Sequence, residues 1–178
     1  VVLAFVVAET PDTCVPSWGT YYDLDGARAA LDLDRRIARF RERGGDIVVS
    51  FGGASNTELA GACESTSSLT DAYLDVVDRY GARVLDFDLE GTSLTDTAQT
   101  TTRAEAVAAV QAARTGTSVW LTLPVSPTGL DADGVRTVDA FLDAGVDLAG
   151  VNVMAMDFGE SRGHRSMSDA VGDAVAAT

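Results

Sequence analysis

Five runs of strand length, apolar on both faces, recur along the chain: Val1–Ala8, Ile47–Phe51, Val84–Leu89, Val119–Val125 and Val151–Met156. Between them apolar residues return with helical period over Ala27–Arg43, Leu69–Tyr80, Arg103–Arg114 and Asp133–Ala144, and a further helix begins near Ser166. A strand without a polar face must be covered on both sides. Alternation with helices supplies that cover, so the pattern predicts an α/β protein with a parallel sheet. "SLTD" at 68–71 and "SMSD" at 166–169 read as helix starts, each with a serine to cap and an aspartate in the first turn. Gly44-Gly45, Gly81, Gly116 and Gly145 read as helix ends or turns.

Two architectures fit this alternation, a doubly wound open sheet and a (β/α)8 TIM barrel. A nucleotide-binding open sheet calls for a glycine-rich turn after its first strand, and the "ETPDTCVPSWG" that follows Ala8 has no G-x-G-x-x-G. The barrel is preferred. A complete barrel takes about 250 residues, whereas 178 residues are present with five strands. The chain also opens directly in a core-like strand, and sequence before Val1 is expected.

One run departs from the apolar rule. "VLDFDLEG" at 84–91 places Asp86, Asp88 and Glu90 on alternate positions. With a strand period of two they share one face, opposite Leu85, Phe87 and Leu89. In a barrel that face is the interior, and Glu90 falls at the C-terminal rim where such barrels carry their chemistry. Three neighbouring carboxyls cannot all ionise cheaply, so at least one pKa is expected to rise strongly, as a general acid at the rim requires. The other readings are a solvated edge, which the apolar partners disfavour, and a divalent-metal site with oxygen ligands. No further acid or histidine cluster lies nearby to complete such a site.

Charge narrows the partners. Acidic residues outnumber basic ones 27 to 13, for a formal net charge of −14. Such a chain repels polyanions, which argues against nucleic acid and anionic membranes but not against a neutral polymer. No apolar run reaches the roughly 18 residues of a membrane helix. Cys14 and Cys63 are the two cysteines. They read either as separate buried thiols or as a disulfide, which would imply an oxidising compartment.

"LDFDLEG" resembles the D-G-x-D-x-D-x-E signature of the fourth barrel strand in glycoside hydrolase family 18, the chitinase family. "SFGG" at 50–53 resembles that family's third-strand S-x-G-G, and "MAMDFG" at 154–159 its sixth-strand M-x-Y-D. The three occur in the family's order, each on a predicted strand. The resemblance implies that residues 1–178 are a partial catalytic TIM-barrel domain carrying strands two to six, with strands one, seven and eight outside the segment. It also implies a secreted chitinase, monomeric and without cofactor or metal, acting on chitin or N-acetylglucosamine oligomers.

By that resemblance the catalytic residues are Glu90, as general acid/base, Asp88, which orients the substrate N-acetyl group, and Asp86, which shares a proton with Asp88. Asp157, the retained sixth-strand acid, would bind substrate, and Met156, Met154 and Asn152 share an inward parity that would line the pocket floor. Gly52 and Ser50 lie beside strand four, with Ser50 within reach of Asp86. Trp18 and Tyr22, with Tyr21, follow strand two and would either stack on sugar rings or pack in the core. Trp120 reads as core near the opposite rim, and His164 as a surface residue.

The chain departs from the family pattern in two places. The first motif Asp and Gly fall on Arg83 and Val84, and the sixth-strand tyrosine falls on Met156, whose thioether cannot donate a hydrogen bond. The competing readings are a non-catalytic chitinase-like lectin, which Met156 favours and Glu90 disfavours, an endo-N-acetylglucosaminidase on the same fold, and a metal-dependent hydrolase using the three acids.

Overall fold

The five apolar runs become five parallel strands, paired in the order β1 (Val2–Ala8), β4 (Val48–Gly52), β5 (Val84–Asp88), β6 (Ser118–Ser126) and β8 (Leu148–Met154). The structure, a computed structural model, describes residues 1–178. Two short strands, β2 (Pro16–Trp18) and β3 (Tyr22–Asp23), add antiparallel to β1, while β7 (Gly129–Leu130) folds back on β6. Helices α1 (Leu24–Leu31), α2 (Leu33–Glu42), α3 (Thr66–Tyr80), α4 (Thr92–Thr95), α5 (Thr97–Ala113), α6 (Ala132–Asp143) and α7 (Met167–Ala177) fill the connections. This is the βα succession of a (β/α)8 barrel, present as an open run of five parallel strands. No helix is long and apolar enough to cross a membrane.

Several boundaries differ from the sequence reading for local reasons. The helix expected over Ala27–Arg43 is two helices, broken at Asp32, which adopts a left-handed conformation (φ 53°) and ends α1. Helix α3 starts before "SLTD": Ser65 caps it in a capping box with Ser68, so Ser68 is the third helical residue. Ser166 does cap α7, accepting from the Asp169 N–H. The last apolar run, read as Val151–Met156, becomes β8, which runs from Leu148 and ends at Met154. Tight turns follow at once, with the Ala155 and Met156 N–H groups donating to Val153 and Met154 carbonyls, and Asp157 sits at φ 50°.

The core lies between the outer face of the sheet and the helices. Leu85, Phe87 and Leu89 are each fully buried there, which leaves the intervening acids for the inner face. Phe51 stacks on Phe87 at 5.2 Å between ring centroids, and Tyr73 of α3 and Phe141 of α6 pack edge-on against Phe87. Offset and edge-on ring pairs of this kind add about 0.5–1.5 kcal/mol each beyond area burial. The sheet is thus pinned to α3 and α6 directly behind the acidic strand.

Cys14 and Cys63 form a disulfide across a sequence separation of 49, joining the loop after β1 to the segment before α3. In chain-entropy terms a bridge of that span is worth about 4 kcal/mol. A Cys14→Ser, Cys63→Ser double variant is expected to lose stability of that order in a denaturant titration. Wild-type protein under reducing conditions should lose a similar amount.

Candidate active site

The parallel register aligns the inner face in rows. Ser50, Asp86, Trp120 and Gly150 form one row; Gly52, Asp88, Thr122 and Asn152 form the next toward the strands' C-terminal ends. All but the two glycines of these rows line an open groove of about 410 Å³. Close approach explains the glycines. A Cβ on Gly52 would lie 2.2 Å from the Asp88 carbonyl oxygen, and Gly52 itself is at φ 95°. One on Gly150 would lie 2.6 Å from the Trp120 ring, so the indole lies over a glycine. Trp120, read from the sequence as core near the opposite rim, is half-buried and lines the groove wall beside the acids.

Asp86 is 7% exposed and is held by two hydroxyls: Ser50 Oγ donates to Oδ2 and Thr122 Oγ1 to Oδ1, each at 2.6 Å. The Ser50 contact is the one expected. Thr122 shares inward parity with Trp120, and no motif in the sequence singles it out. Asn152 Nδ2 in turn donates to Thr122 Oγ1 at 3.3 Å. Both Asp86 oxygens accept from hydroxyls, and no hydrogen bond joins Asp86 to Asp88 in this arrangement. A Ser50→Ala, Thr122→Val double variant strips the buried carboxylate of both donors. It is expected to cost about 1–3 kcal/mol per lost partner; an unshifted melting curve would count against this arrangement.

Asp88 is 8% exposed, and its Oδ1 is buried with no hydrogen-bond partner. Burial first, then the charges of Glu90 and Asp86, push its carboxyl up to about 7. The strongly raised carboxyl of the acidic strand is thus Asp88, with a proton to offer near neutral pH. Glu90 lies just past the end of β5, partly exposed at the C-terminal rim, and its side chain makes no hydrogen bond. The main chain around it is held closely. Gly53 N–H donates to the Asp88 carbonyl at 2.9 Å, Leu89 N–H to the Thr122 carbonyl at 3.1 Å, and Ser93 N–H to the Glu90 carbonyl at 3.1 Å. No group of three or more His, Cys, Asp or Glu side chains converges in a way that could hold a metal ion.

The remaining sequence candidates divide. Asn152 joins the groove with Ser50, whereas Met154 is half-buried outside its lining. Met156, 53% exposed, and Asp157 lie beyond the end of β8 at Met154 and are not among the residues that line the groove. Trp18 spends its indole on packing: Nε1–H donates to Tyr80 Oη at 2.9 Å, and the two rings meet edge-on. Its other side, with Tyr21 and Tyr22, lines a separate groove near Gly52. Arg83 is exposed before β5, Val84 lines the acid groove, and His164 is exposed after β8.

The fold and site define a (β/α)8-type segment carrying an acidic strand of glycosidase type. Two curated proteins align with it over 163 residues, 89% of the chain: a probable bifunctional chitinase/lysozyme of Escherichia coli (strain K12), 41% identical, and Endochitinase 11 of Metarhizium anisopliae, 39% identical. The aligned span covers 18% and 30% of those proteins, so the chain spans less than a third of the curated relatives it matches. Among solved structures, the catalytic domain of a hyperthermophilic chitinase from Pyrococcus furiosus superposes with a TM-score of 0.75 at 28% identity, over 88% of this chain and 48% of that one. A GH18 chitinase from Pseudoalteromonas aurantia shares the fold, with a TM-score of 0.60 at 18% identity over 85% of this chain and 58% of that one. No protein-family model matches the chain. The chain is a homologue of chitinase catalytic domains, and the family 18 resemblance carried by its three motifs is borne out.

Proposed function

We propose that the full-length protein is a secreted chitinase that hydrolyses β-1,4 bonds of N-acetylglucosamine polymers by a substrate-assisted, retaining mechanism. Glu90 protonates the oxygen of the scissile bond while the carbonyl oxygen of the substrate's own N-acetyl group attacks the anomeric carbon. Family 18 enzymes depart in this way from the two-carboxylate scheme of other retaining glycosidases. The resulting oxazolinium ion is opened by water, with Glu90 now accepting the water's proton. Asp88, with its carboxyl raised to about 7 and an unpartnered Oδ1, turns to the N-acetyl group and in its ionised form offsets the positive charge as it develops. Asp86, held by two hydroxyl donors, lies beneath Asp88 and fixes the floor of the site.

The observation that carries this reading is the acidic strand itself: two buried carboxyls in successive inner rows, the upper one raised to about 7, and Glu90 free at the rim. The half-length match to a chitinase catalytic domain supports the further proposal that the five strands are strands two to six, with strands one, seven and eight supplied by the rest of the polypeptide. The uncovered inner face of β1, where Val2 is 58% and Phe5 37% exposed along the groove, agrees with that. The disulfide supports an extracellular setting, and the charge of −14 supports a neutral polymer as substrate.

One observation favours a second reading, a chitinase-like lectin: Met156 stands at the tyrosine position and lies exposed. Incubation of the full-length protein with N-acetylglucosamine oligomers separates the two. Release of shorter oligomers, with the β-anomer formed first, is expected. Tight binding without turnover would establish the lectin in its place.

A further inference from the structure

Behind the acidic strand, on the helix side, lies a buried ion pair that the mechanism does not use. Arg103 of α5 is 0% exposed and Glu58, in the loop after β4, is 3% exposed. Glu58 Oε2 accepts from Arg103 Nε and from the Ala60 N–H, each at 2.9 Å, and Oε1 accepts from Tyr73 Oη at 2.7 Å. Arg103 Nη2 lies 2.9 Å from the same Oε2, off the hydrogen-bond axis. Burial, with the Glu58 charge adding to it, pushes the Tyr73 phenol well above its ordinary range, so it remains a donor.

A buried pair of this kind is a poor way to gain stability, because an apolar pair of similar volume often does as well. What an apolar pair could not do is hold a carbonyl. Arg103 Nη1 donates to the Ser93 carbonyl at 3.2 Å, and Ser93 donates through both its N–H and its hydroxyl to the Glu90 carbonyl, each at 3.1 Å. On its other flank the Glu58 stem packs on Gly52, whose absent Cβ would come 3.6 Å from Glu58 Cγ and 2.2 Å from the Asp88 carbonyl oxygen. The next residue, Gly53, holds that carbonyl by its N–H. The pair therefore stands behind both carboxyl-bearing segments and touches neither carboxyl.

We propose that Arg103 and Glu58 are positioning residues, which tie the Ser93 turn to the loop after β4 and so set where Glu90 stands relative to Asp88. The proposal rests on Glu90 as the proton donor. A purely structural pair would alter stability alone. A positioning pair alters turnover in protein that still folds, because a reacting group displaced by about 1 Å costs on the order of 10²-fold.

The test uses the full-length protein with N-acetylglucosamine oligomers and four variants, Arg103→Lys, Glu58→Gln, Ser93→Ala and Glu90→Gln. Lysine keeps the charge but cannot reach both Glu58 and Ser93. Expected for Arg103→Lys and Glu58→Gln are a kcat lowered about tenfold or more, KM within about twofold, and a displaced pH profile of kcat. Ser93→Ala, on a half-buried turn that tolerates the change, is expected to lower kcat severalfold and to have no added effect when combined with Arg103→Lys. Wild-type kcat and pH profile in the variants that fold would overturn the proposal, and Ser93→Ala decides it alone if the buried variants do not fold. Turnover retained by Glu90→Gln would instead overturn the assignment of Glu90, whatever the other three show.

Discussion

Glu90→Gln in the full-length protein is expected to remove hydrolysis of N-acetylglucosamine oligomers, with kcat lowered at least about 10²–10⁴-fold, the usual worth of a positioned proton donor. The amide matches the carboxyl in size and keeps a polar end, so the fold and the groove survive. It cannot release a proton to the departing oxygen, nor take one from water in the second half of the reaction. Glu90 has no side-chain hydrogen bond to lose and is partly exposed beyond the end of β5, so the melting temperature should stay near wild type. Oligomer binding measured by calorimetry should persist. Turnover at the wild-type rate would sink the mechanism.

The second large effect falls on Asp88. Asp88→Asn is expected to lower kcat about 10²-fold, since a neutral amide cannot offset the charge of the oxazolinium ion. It also has a signature in stability that needs no substrate. The native carboxyl is raised to about 7, by burial first and then by the charges of Glu90 and Asp86, whereas in the unfolded chain an aspartate titrates near about 3.9. Between those values the native state holds one more proton than the unfolded state, so stability falls as pH rises. The contribution is complete below the unfolded value and is lost by the time pH passes about 7. Because the open groove admits water, the expected loss is about 1–2 kcal/mol.

Asp46 and Asp78 run the other way. The backbone N–H of Ile47 and then Arg41 hold the first below its ordinary range, and Arg114 holds the second, so their contributions fade on acidification. The comparison is therefore the wild type minus Asp88→Asn difference in denaturation midpoint at pH 4.5 and at pH 7.5. That difference should shift in favour of the variant at the higher pH. A difference independent of pH would mean that Asp88 is not a raised carboxyl.

Much of this site was legible along the chain because a strand's period of two is rigid. Once Leu85, Phe87 and Leu89 are recognised as core, Asp86, Asp88 and Glu90 must face the other way. The parallel register then brings Ser50 to Asp86 from the neighbouring strand. The signals that failed were those needing a boundary. Met156 and Asp157 follow an apolar run that reads as continuous strand, yet the backbone turns after Met154 and leaves them outside the groove. Trp120 reads as core from its place near the opposite rim, but Gly150 across the sheet leaves it room on the groove wall. Asp32 lies inside a helical period and nevertheless breaks it, because its left-handed backbone is a local conformation that periodicity does not encode.

By itself, then, the amino-acid order determined the alternation of strand and helix, the inward face of three carboxyls, and the family they resemble, since each follows from short-range periodicity and motif spacing. Only the tertiary structure decided which groups those carboxyls meet. Thr122 reaches Asp86 from 36 residues away, and Arg103 reaches Glu58 across 45. Burial and the neighbouring charges then select Asp88 as the carboxyl that rises to about 7. Hydrogen bonds and desolvation act over a few ångströms of space, and that proximity exists only once the strands have paired and the helices have closed behind them.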